Sequence, residues 1–551
     1  MRNFLFFNTW LQHKKIILAL TLFVLVVCFL GLPYTNWGFK TDDFGNIFHC
    51  KIYGWQTIKQ FFTEGNMERF NYPSNGGATS QSFFCGLYRP ISFIYYFIQY
   101  YFFGASPYGY FLVTIIFHAL NSVLLFYLFT HIFSLLWAFL AALLFAFHPS
   151  LYNWLGWVSA QTYFIELFVL LLLILALKKY VDTRNILLYV LSCFLFLINL
   201  FLKEATVFLP AWVMFAVYLY IKQTAVINKH PVKLSIVISL GYWFVSIFYC
   251  LVRLSMFPLN SNTGTLTFEP TLVSFVARMK SRVFDFVTYV TDMIGISWIS
   301  GDHRVIKGFI VASLFSLLII CFIKSSKKLQ MSFCFLSMLL FGWPALLMHY
   351  QPRYIYMSIP FFIVFVFLSF ETIRQGAHVC FVQHLKPVFI VFVFLFVAFN
   401  VTFLTSKLRQ REAVFGSVTQ AFKELLVHDE TKNRTLYFMG LPTQWFAMGT
   451  AQAIWLLRGD SSCPVNQDGP VVGLVGYDSY LQVPILDGDY LDIKMYDNGF
   501  EFISLDPAQL WFVRDKQVCS KIFIEIPEKY REQDPVYITW DYHNARFKIL
   551  K

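Results

Sequence analysis

The ionisable residues with most scope for chemistry in this chain stand at the ends of apolar runs. Asp42 and Asp43 follow the first run, Arg89 precedes the second, His148 ends the third, and Glu166 lies about a turn into the fourth. Lys203 and Glu204 form a turn between two later runs, Arg253 sits near the end of another, and His349 and Arg353 separate a further pair. Ionisable groups at membrane depth are costly and face a cavity or a partner, so this mixed set predicts a polar cleft at one edge of a bilayer. Both signs have a use in one kind of reaction. A phosphate leaving group is already anionic, so it needs cations rather than a general acid, and the forked donors of arginine suit it. A hydroxyl that attacks as the phosphate leaves must lose its proton, which a nearby carboxylate can take. One base and a cationic clamp give direct displacement with inversion, whereas a glycosidase needs a carboxyl pair with one acid form.

Each residue also has a plainer role. Asp42 and Asp43 read equally as a solvated loop start or a helix cap. Arg89 and Arg353 suit lipid headgroups, and Lys203–Glu204 reads as a local ion pair. His118 and Asn121, about one turn apart, read as an interhelical hydrogen-bonding pair. His148 and His349, with Asp42 or Asp43, suit a divalent metal, but scattered histidines are more often structural. No cofactor is therefore assigned, and a divalent metal is left open. Trp and Tyr in the outer loops fit an interfacial aromatic belt as well as sugar stacking.

The elements that must position these residues are membrane helices. Of 551 residues, 58% are hydrophobic and 13% charged, a surface that lipid can cover and water cannot. From Thr405 onward there are 16 Lys and Arg against 19 Asp and Glu, while the rest of the chain holds 27 against 12. That excess on the membrane part excludes a nucleic-acid binder with a charged patch on a folded domain and suits anionic lipids. Lys14 and Lys15 before the run Ile16 to Leu32, with no small-x-small cleavage site after it, read as an uncleaved signal anchor. About eleven spans follow from the apolar runs: 16–33, 108–130, 134–148, 161–177, 186–202, 206–221, 234–256, 306–323, 329–348, 354–370 and 387–404. Several are shorter than the usual ~20 residues.

With the N-terminus inside, the cytoplasmic connections carry Lys178, Lys179, Arg184, Lys222, Lys229, Lys233, Lys324, Lys327, Lys328, Arg374 and Lys386. Asp182 and Glu371 are the only acids there. This is the positive-inside pattern; Lys407, Arg409 and Arg411, beyond the last span on the outer side, run against it. The large outer loops are 34–107, ending in the aromatic stretch Ile91 to Phe103, and 257–305. Cys50 and Cys85 share the first outer loop and Cys463 and Cys519 the tail. Both pairs would lie in an oxidising compartment, where a disulfide and free thiols are equally open.

The expected organisation is a polytopic α-helical domain over 1–404, a connecting helix over 405–429 and a small β-rich extracytoplasmic domain over 430–551. Strands are expected at Leu436 to Leu441, Val471 to Tyr477, Leu510 to Val513, Ile522 to Ile526, Val536 to Trp540 and Phe547 to Leu550, with a helix from Gln444 to Leu457.

The ordered motifs TDDFGNIF, YRPISFIYYFIQYYFFGASPYGYFLVTIIFHALN, FAFHPSLYNWLGWVSAQ, FLKEATVFLP and PRYIYMSIP resemble the GT-C superfamily of membrane glycosyltransferases. The nearest branches are the protein O-mannosyltransferases and the transmembrane tetratricopeptide-containing mannosyltransferases with their bacterial relatives. The resemblance covers roughly residues 1–400. It implies a polyprenyl-phosphate-linked sugar donor, an acceptor hydroxyl on a glycan, lipid or protein at the outer face, and an active site under the first outer loop. On that pattern Asp42 or Asp43 is the base, Arg89 the donor-phosphate ligand, and Lys203 and Arg353 line the donor site. His148, Glu166, Glu204, Arg253 and His349 remain as further cleft residues. The chain departs from the mannosyltransferase-like branch at Leu151, Asn153, Gln161, Tyr163 and Pro352 and carries no repeats, which favours a bacterial inner membrane over endoplasmic reticulum. The rival readings are a transporter or lipid flippase, which calls for charges at the midplane and related halves, and a non-catalytic scaffold.

Overall fold

The computed structural model describes residues 2–34, 37–39, 43, 47, 62, 88–223, 230–256, 288–295, 304–342, 352–376 and 379–428, and nine strands between 436 and 550. The long helices are α1 (Arg2–Leu30), α2 (Pro90–Phe103), α3 (Pro107–Phe129), α4 (Leu135–Ala146), α5 (Gln161–Thr183) and α6 (Ile186–Leu202). They continue with α7 (Leu209–Gln223), α8 (Pro231–Met256), α9 (Arg304–Lys324), α10 (Lys328–Phe341), α11 (Ile359–Gly376) and α12 (Val379–Val427). A helix overlaps each run expected to span. Among the described residues six segments are both long and apolar enough to cross a membrane, against the eleven or so spans expected of the whole chain: Gln12–Leu30, Pro107–Phe129, Leu135–Tyr152, Val158–Thr183, Pro231–Ser255 and Lys386–Val427.

The pattern of exposure shows which solvent these helices meet. On α8, Ile236, Leu240, Phe244, Ile247, Leu251 and Leu254 are exposed, while Ile238, Tyr242 and Tyr249 are buried. The outward stripe is apolar and the inward one carries the hydroxyls, the reverse of a helix facing water. The chain is an α-helical membrane protein.

Helix α2 is 14 residues long, about 21 Å at 1.5 Å per residue, too short for a hydrocarbon core of about 30 Å. Its polar Ser92 and Gln99 are buried, and Tyr101 and Phe102 are exposed. At the other extreme α12 has 49 residues, roughly 70 Å, so much of it must stand clear of the bilayer.

Helices α5 and α6 form the hairpin that matters most for the site. Arg184 closes α5 in the left-handed region, φ 60°, and Asn185 caps α6 by accepting the Leu187 N–H at 3.0 Å. With only two residues between the helices they run antiparallel. Tyr163 and Lys203, about twenty residues on either side of the turn, return to the same end. The opposite end holds the basic loops. There Asp182 accepts from Lys178 at 3.0 Å and Glu371 from Lys327 at 2.7 Å, so each of the two acids is neutralised by a lysine of its own end.

Two cores result. The larger lies inside the helix bundle. The smaller joins Phe39, Ile47, Tyr96, Phe97, Tyr110 and Val158 to Phe415, Val418 and Phe422 of α12 and to Ile538 of the C-terminal strands. Within the larger core Trp37 stacks on Phe111 at 4.3 Å and donates its indole N–H to the Gly156 carbonyl at 3.0 Å. Gly156 has φ +78°, and a Cβ there would run into the Trp37 ring, so the position requires glycine.

The strands are β1 (Leu436–Met439), β2 (Val472–Leu474), β3 (Leu491–Tyr496), β4 (Gly499–Ser504), β5 (Phe512–Arg514), β6 (Gln517–Cys519), β7 (Lys521–Glu525), β8 (Val536–Asp541) and β9 (Arg546–Leu550). One sheet has the order β2-β1-β8-β9, with β1 parallel to both neighbours; β3-β4-β7 form a second and β5-β6 a hairpin. Residues 444–457 lie outside the described residues.

Candidate active site

Arg89 is placed by the start of α2. Pro90 occupies the first helical position, where its missing N–H costs nothing, and Ser92 donates its hydroxyl to the Leu202 carbonyl at 2.7 Å. That bond pins α2 to the end of α6 and sets Arg89 opposite Glu204. Arg89 Nε and Nη2 donate to the two carboxylate oxygens at 2.9 and 2.6 Å. Burial alone would raise the Glu204 carboxyl. The Arg89 charge and its paired hydrogen bonds outweigh that and hold it below the usual carboxylate range. Glu204 is thus paired across the fold, from the turn after α6 to the start of α2.

Lys203 instead turns to the aromatic side. Its ammonium lies 3.1 Å from the centroid of the Tyr163 ring and 5.5 Å from that of Tyr354, a cation–π arrangement in a buried setting. Tyr354 belongs to the 3-10 turn Pro352–Ile355 that also carries Arg353; the Arg353 side chain lies outside the described residues. Glu166 follows Tyr163 by three residues, on the same face of α5. It is fully buried, neither carboxylate oxygen has a hydrogen-bond partner, and the charges that act on it are Lys203, Glu204 and Arg89.

Asp43 reaches the same helix end from the first outer segment. It is buried, and one carboxylate oxygen accepts the Ser159 backbone N–H at 2.8 Å and the Ser159 hydroxyl at 3.0 Å. Ser159 lies in the 3-10 turn Val158–Ala160 that opens α5, so the carboxylate caps a helix N-terminus from a distance. Asp42 lies outside the described residues.

Other expected residues make contacts within the fold. His148 places Nε2 3.0 Å from the Met293 carbonyl and accepts the Ser150 N–H on Nδ1 at 3.4 Å. Both ring nitrogens are engaged, so ligation of a metal would break one of these bonds. His118 and Asn121 form the interhelical pair expected of them. The Tyr356 hydroxyl sits 2.8 Å from His118 Nδ1 and accepts from Asn121 Nδ2 at 3.2 Å, while His118 Nε2 faces the Ala146 carbonyl at 2.9 Å. This buried network ties the Arg353-bearing turn to α3 and α4. Arg253 stands one turn beyond Tyr249, whose hydroxyl donates to the Tyr88 carbonyl at 3.4 Å, next to Arg89. Arg411 donates to the Tyr152 carbonyl and lies 5.0 Å from that ring, a clamp between α12 and the turn Pro149–Asn153.

His349, Cys50, Cys85 and Cys463 lie outside the described residues, as does the side chain of Cys519. Among the described residues Cys28, Cys193, Cys250, Cys321 and Cys334 are free thiols, and no group of three or more His, Cys, Asp or Glu is placed to hold a metal.

Ser159, Tyr163 and Tyr354 are site residues that the sequence reading did not single out as such. Two departures from the mannosyltransferase-like pattern prove to be in use. Tyr163 supports Lys203. Gln161 accepts from Gln99 at 2.9 Å and donates to the Tyr110 carbonyl, fastening α2 to α5 and α3. A tyrosine one turn from a carboxylate at a helix start was the available signal.

No family model and no curated protein matches the sequence. Among solved structures the chain is similar to the oligosaccharyltransferase of Archaeoglobus fulgidus. Against that enzyme tethered by a disulfide to an acceptor peptide containing the NVT sequon, identity is 11%, the TM-score 0.47, and 81% of this chain and 63% of that one are covered. Against its apo form the values are 12%, 0.43, 81% and 64%. The chain thus spans less than two thirds of the length of the oligosaccharyltransferase it resembles.

Proposed function

We propose that the chain is a GT-C-type glycosyltransferase that moves a sugar from a polyprenyl-phosphate carrier to an acceptor hydroxyl at the outer face of a membrane. One observation carries the reading: the start of α5 gathers both halves of the chemistry. Asp43 is anchored on Ser159, and four residues further, about 6 Å along the axis, Tyr163 carries Lys203 beside the Arg89–Glu204 pair. The ordered motifs of the sequence support the same reading.

In this scheme the acceptor oxygen attacks the anomeric carbon as the bond from that carbon to the phosphate oxygen breaks, with inversion. Asp43, or its neighbour Asp42, takes the hydroxyl proton. The phosphate leaves with the electron pair, stabilised by Lys203, Arg353 and Arg89. Glu204 occupies Nε and Nη2 of Arg89 and thereby aims the remaining Nη1 edge. The C-terminal strands, joined to Phe39 and α12 in the smaller core, cap this end, and with the lysine-rich end cytoplasmic the site faces outward, in a bacterial inner membrane.

The test is turnover in lipid nanodiscs of a panel of labelled polyprenyl-phosphate sugars, with nucleotide sugars as controls and a hydroxyl acceptor supplied. Release of sugar from one lipid carrier and from no nucleotide is expected. Flux of a lipid across the bilayer of sealed vesicles without bond cleavage would replace this reading with a flippase.

A further inference from the structure

Glu166 is a buried carboxyl to which no neighbouring donor goes. Arg89 spends Nε and Nη2 on Glu204. The Lys203 ammonium rests on the Tyr163 ring. The Asn199 amide goes to the Glu166 backbone carbonyl at 3.0 Å. Both carboxylate oxygens remain without a partner in a fully buried position. Such a group is expensive to keep unless a donor arrives.

We infer that Glu166 is a specificity residue that accepts hydrogen bonds from two adjacent hydroxyls of the transferred sugar; this rests on the glycosyltransferase reading above. A carboxyl group offers two oxygens side by side, which matches a vicinal diol. Lys203 and Arg89 are the cations whose charges act on it, so a ligand that satisfies the cluster carries both hydroxyls and an anion. A glycosyl phosphate with a free vicinal diol carries both. A bare polyprenyl phosphate satisfies the cations and leaves Glu166 as it is.

The test compares binding of polyprenyl phosphate and of the polyprenyl-phosphate hexose to the protein in nanodiscs, for wild type, Glu166→Gln and Glu166→Leu. Replacing a buried charge by an apolar residue of similar size is commonly tolerated, and binding of the bare carrier reports in each variant that the site is intact. Wild type is expected to prefer the hexose lipid by on the order of 10- to 100-fold, the effect of two charge-assisted hydrogen bonds. Glu166→Leu should abolish that preference without changing affinity for the bare carrier, and Glu166→Gln, which keeps one acceptor, should fall between. A preference that survives in Glu166→Leu, an equal loss on both lipids, or no preference in wild type overturns the inference and leaves the proposed reaction standing. Failure of wild type to bind either lipid overturns both.

Discussion

The Arg89–Glu204 pair allows a prediction whose size follows from its setting. Exposed ion pairs contribute about 0–1 kcal/mol, and breaking a fully buried one costs about 3–5 kcal/mol. The two side chains here are 23% and 26% exposed, with a bidentate geometry, which places the pair between those limits. Glu204→Gln and Arg89→Met should each destabilise the folded state by about 2 kcal/mol, and the double variant by less than the sum. The coupling should be about 1.5 kcal/mol, intermediate for a charge-assisted bidentate pair. Reversible unfolding in mixed micelles measures the cycle.

The pH dependence has a definite sign. The folded-state carboxyl of Glu204 is lowered from its ordinary value of 4.5 to about 2. Its contribution is therefore complete above about 4.5 and is lost as pH falls from there through about 2. The stability difference between wild type and Glu204→Gln should be flat from pH 5 to 8 and shrink below about pH 4. A coupling under about 0.5 kcal/mol, the range of additive sites, or a difference that does not shrink in acid, would refute the argument.

Other consequences concern the supports of the site. Gly156→Ala should be among the most damaging small substitutions, by about 3 kcal/mol or more, because the Cβ meets the Trp37 ring at a positive φ; thermal stability in nanodiscs reads it. Tyr356→Phe removes the hydroxyl shared by His118 and Asn121 and should cost about 1–3 kcal/mol in the same unfolding measurement. Ser159→Ala removes the hydroxyl bond to Asp43 but keeps the backbone one. It should cost no more than about 1 kcal/mol and slow sugar transfer only several-fold.

How far the sequence could be read depended on the range of the contacts involved. The α5–α6 hairpin was legible because it rests on local facts: two apolar runs and a short basic turn around Arg184–Asn185. So was the basic end, where the lysines and arginines of the short loops outnumber Asp182 and Glu371. The partner of Glu204 was not legible, since Arg89 lies 115 positions away and is brought in only by the Ser92–Leu202 bond. Proximity in sequence suggested only Lys203, whose ammonium meets the Tyr163 ring. Asp43 on Ser159 is likewise a contact between distant segments. Strands β3 and β4 were missed although only Asp497 and Asn498 stand between them in the sequence, an Asp-Asn pair that is itself a local hairpin signal, and Tyr496 pairs with Gly499. The charged alternation of Asp492 and Lys494 disguised the strand before it.

The most direct measurement of the central claim is single-turnover sugar transfer from a polyprenyl-phosphate sugar in nanodiscs, comparing wild type with Asp43→Asn and with Asp42→Asn/Asp43→Asn. Asparagine keeps the oxygen that accepts both Ser159 bonds but loses the basicity, so anchoring and chemistry are separated. The account predicts transfer by wild type and a fall of about 10²- to 10⁴-fold in the double variant, with unfolding temperature and carrier binding retained. Undiminished transfer in the double variant would contradict the placement of the base in the first outer segment.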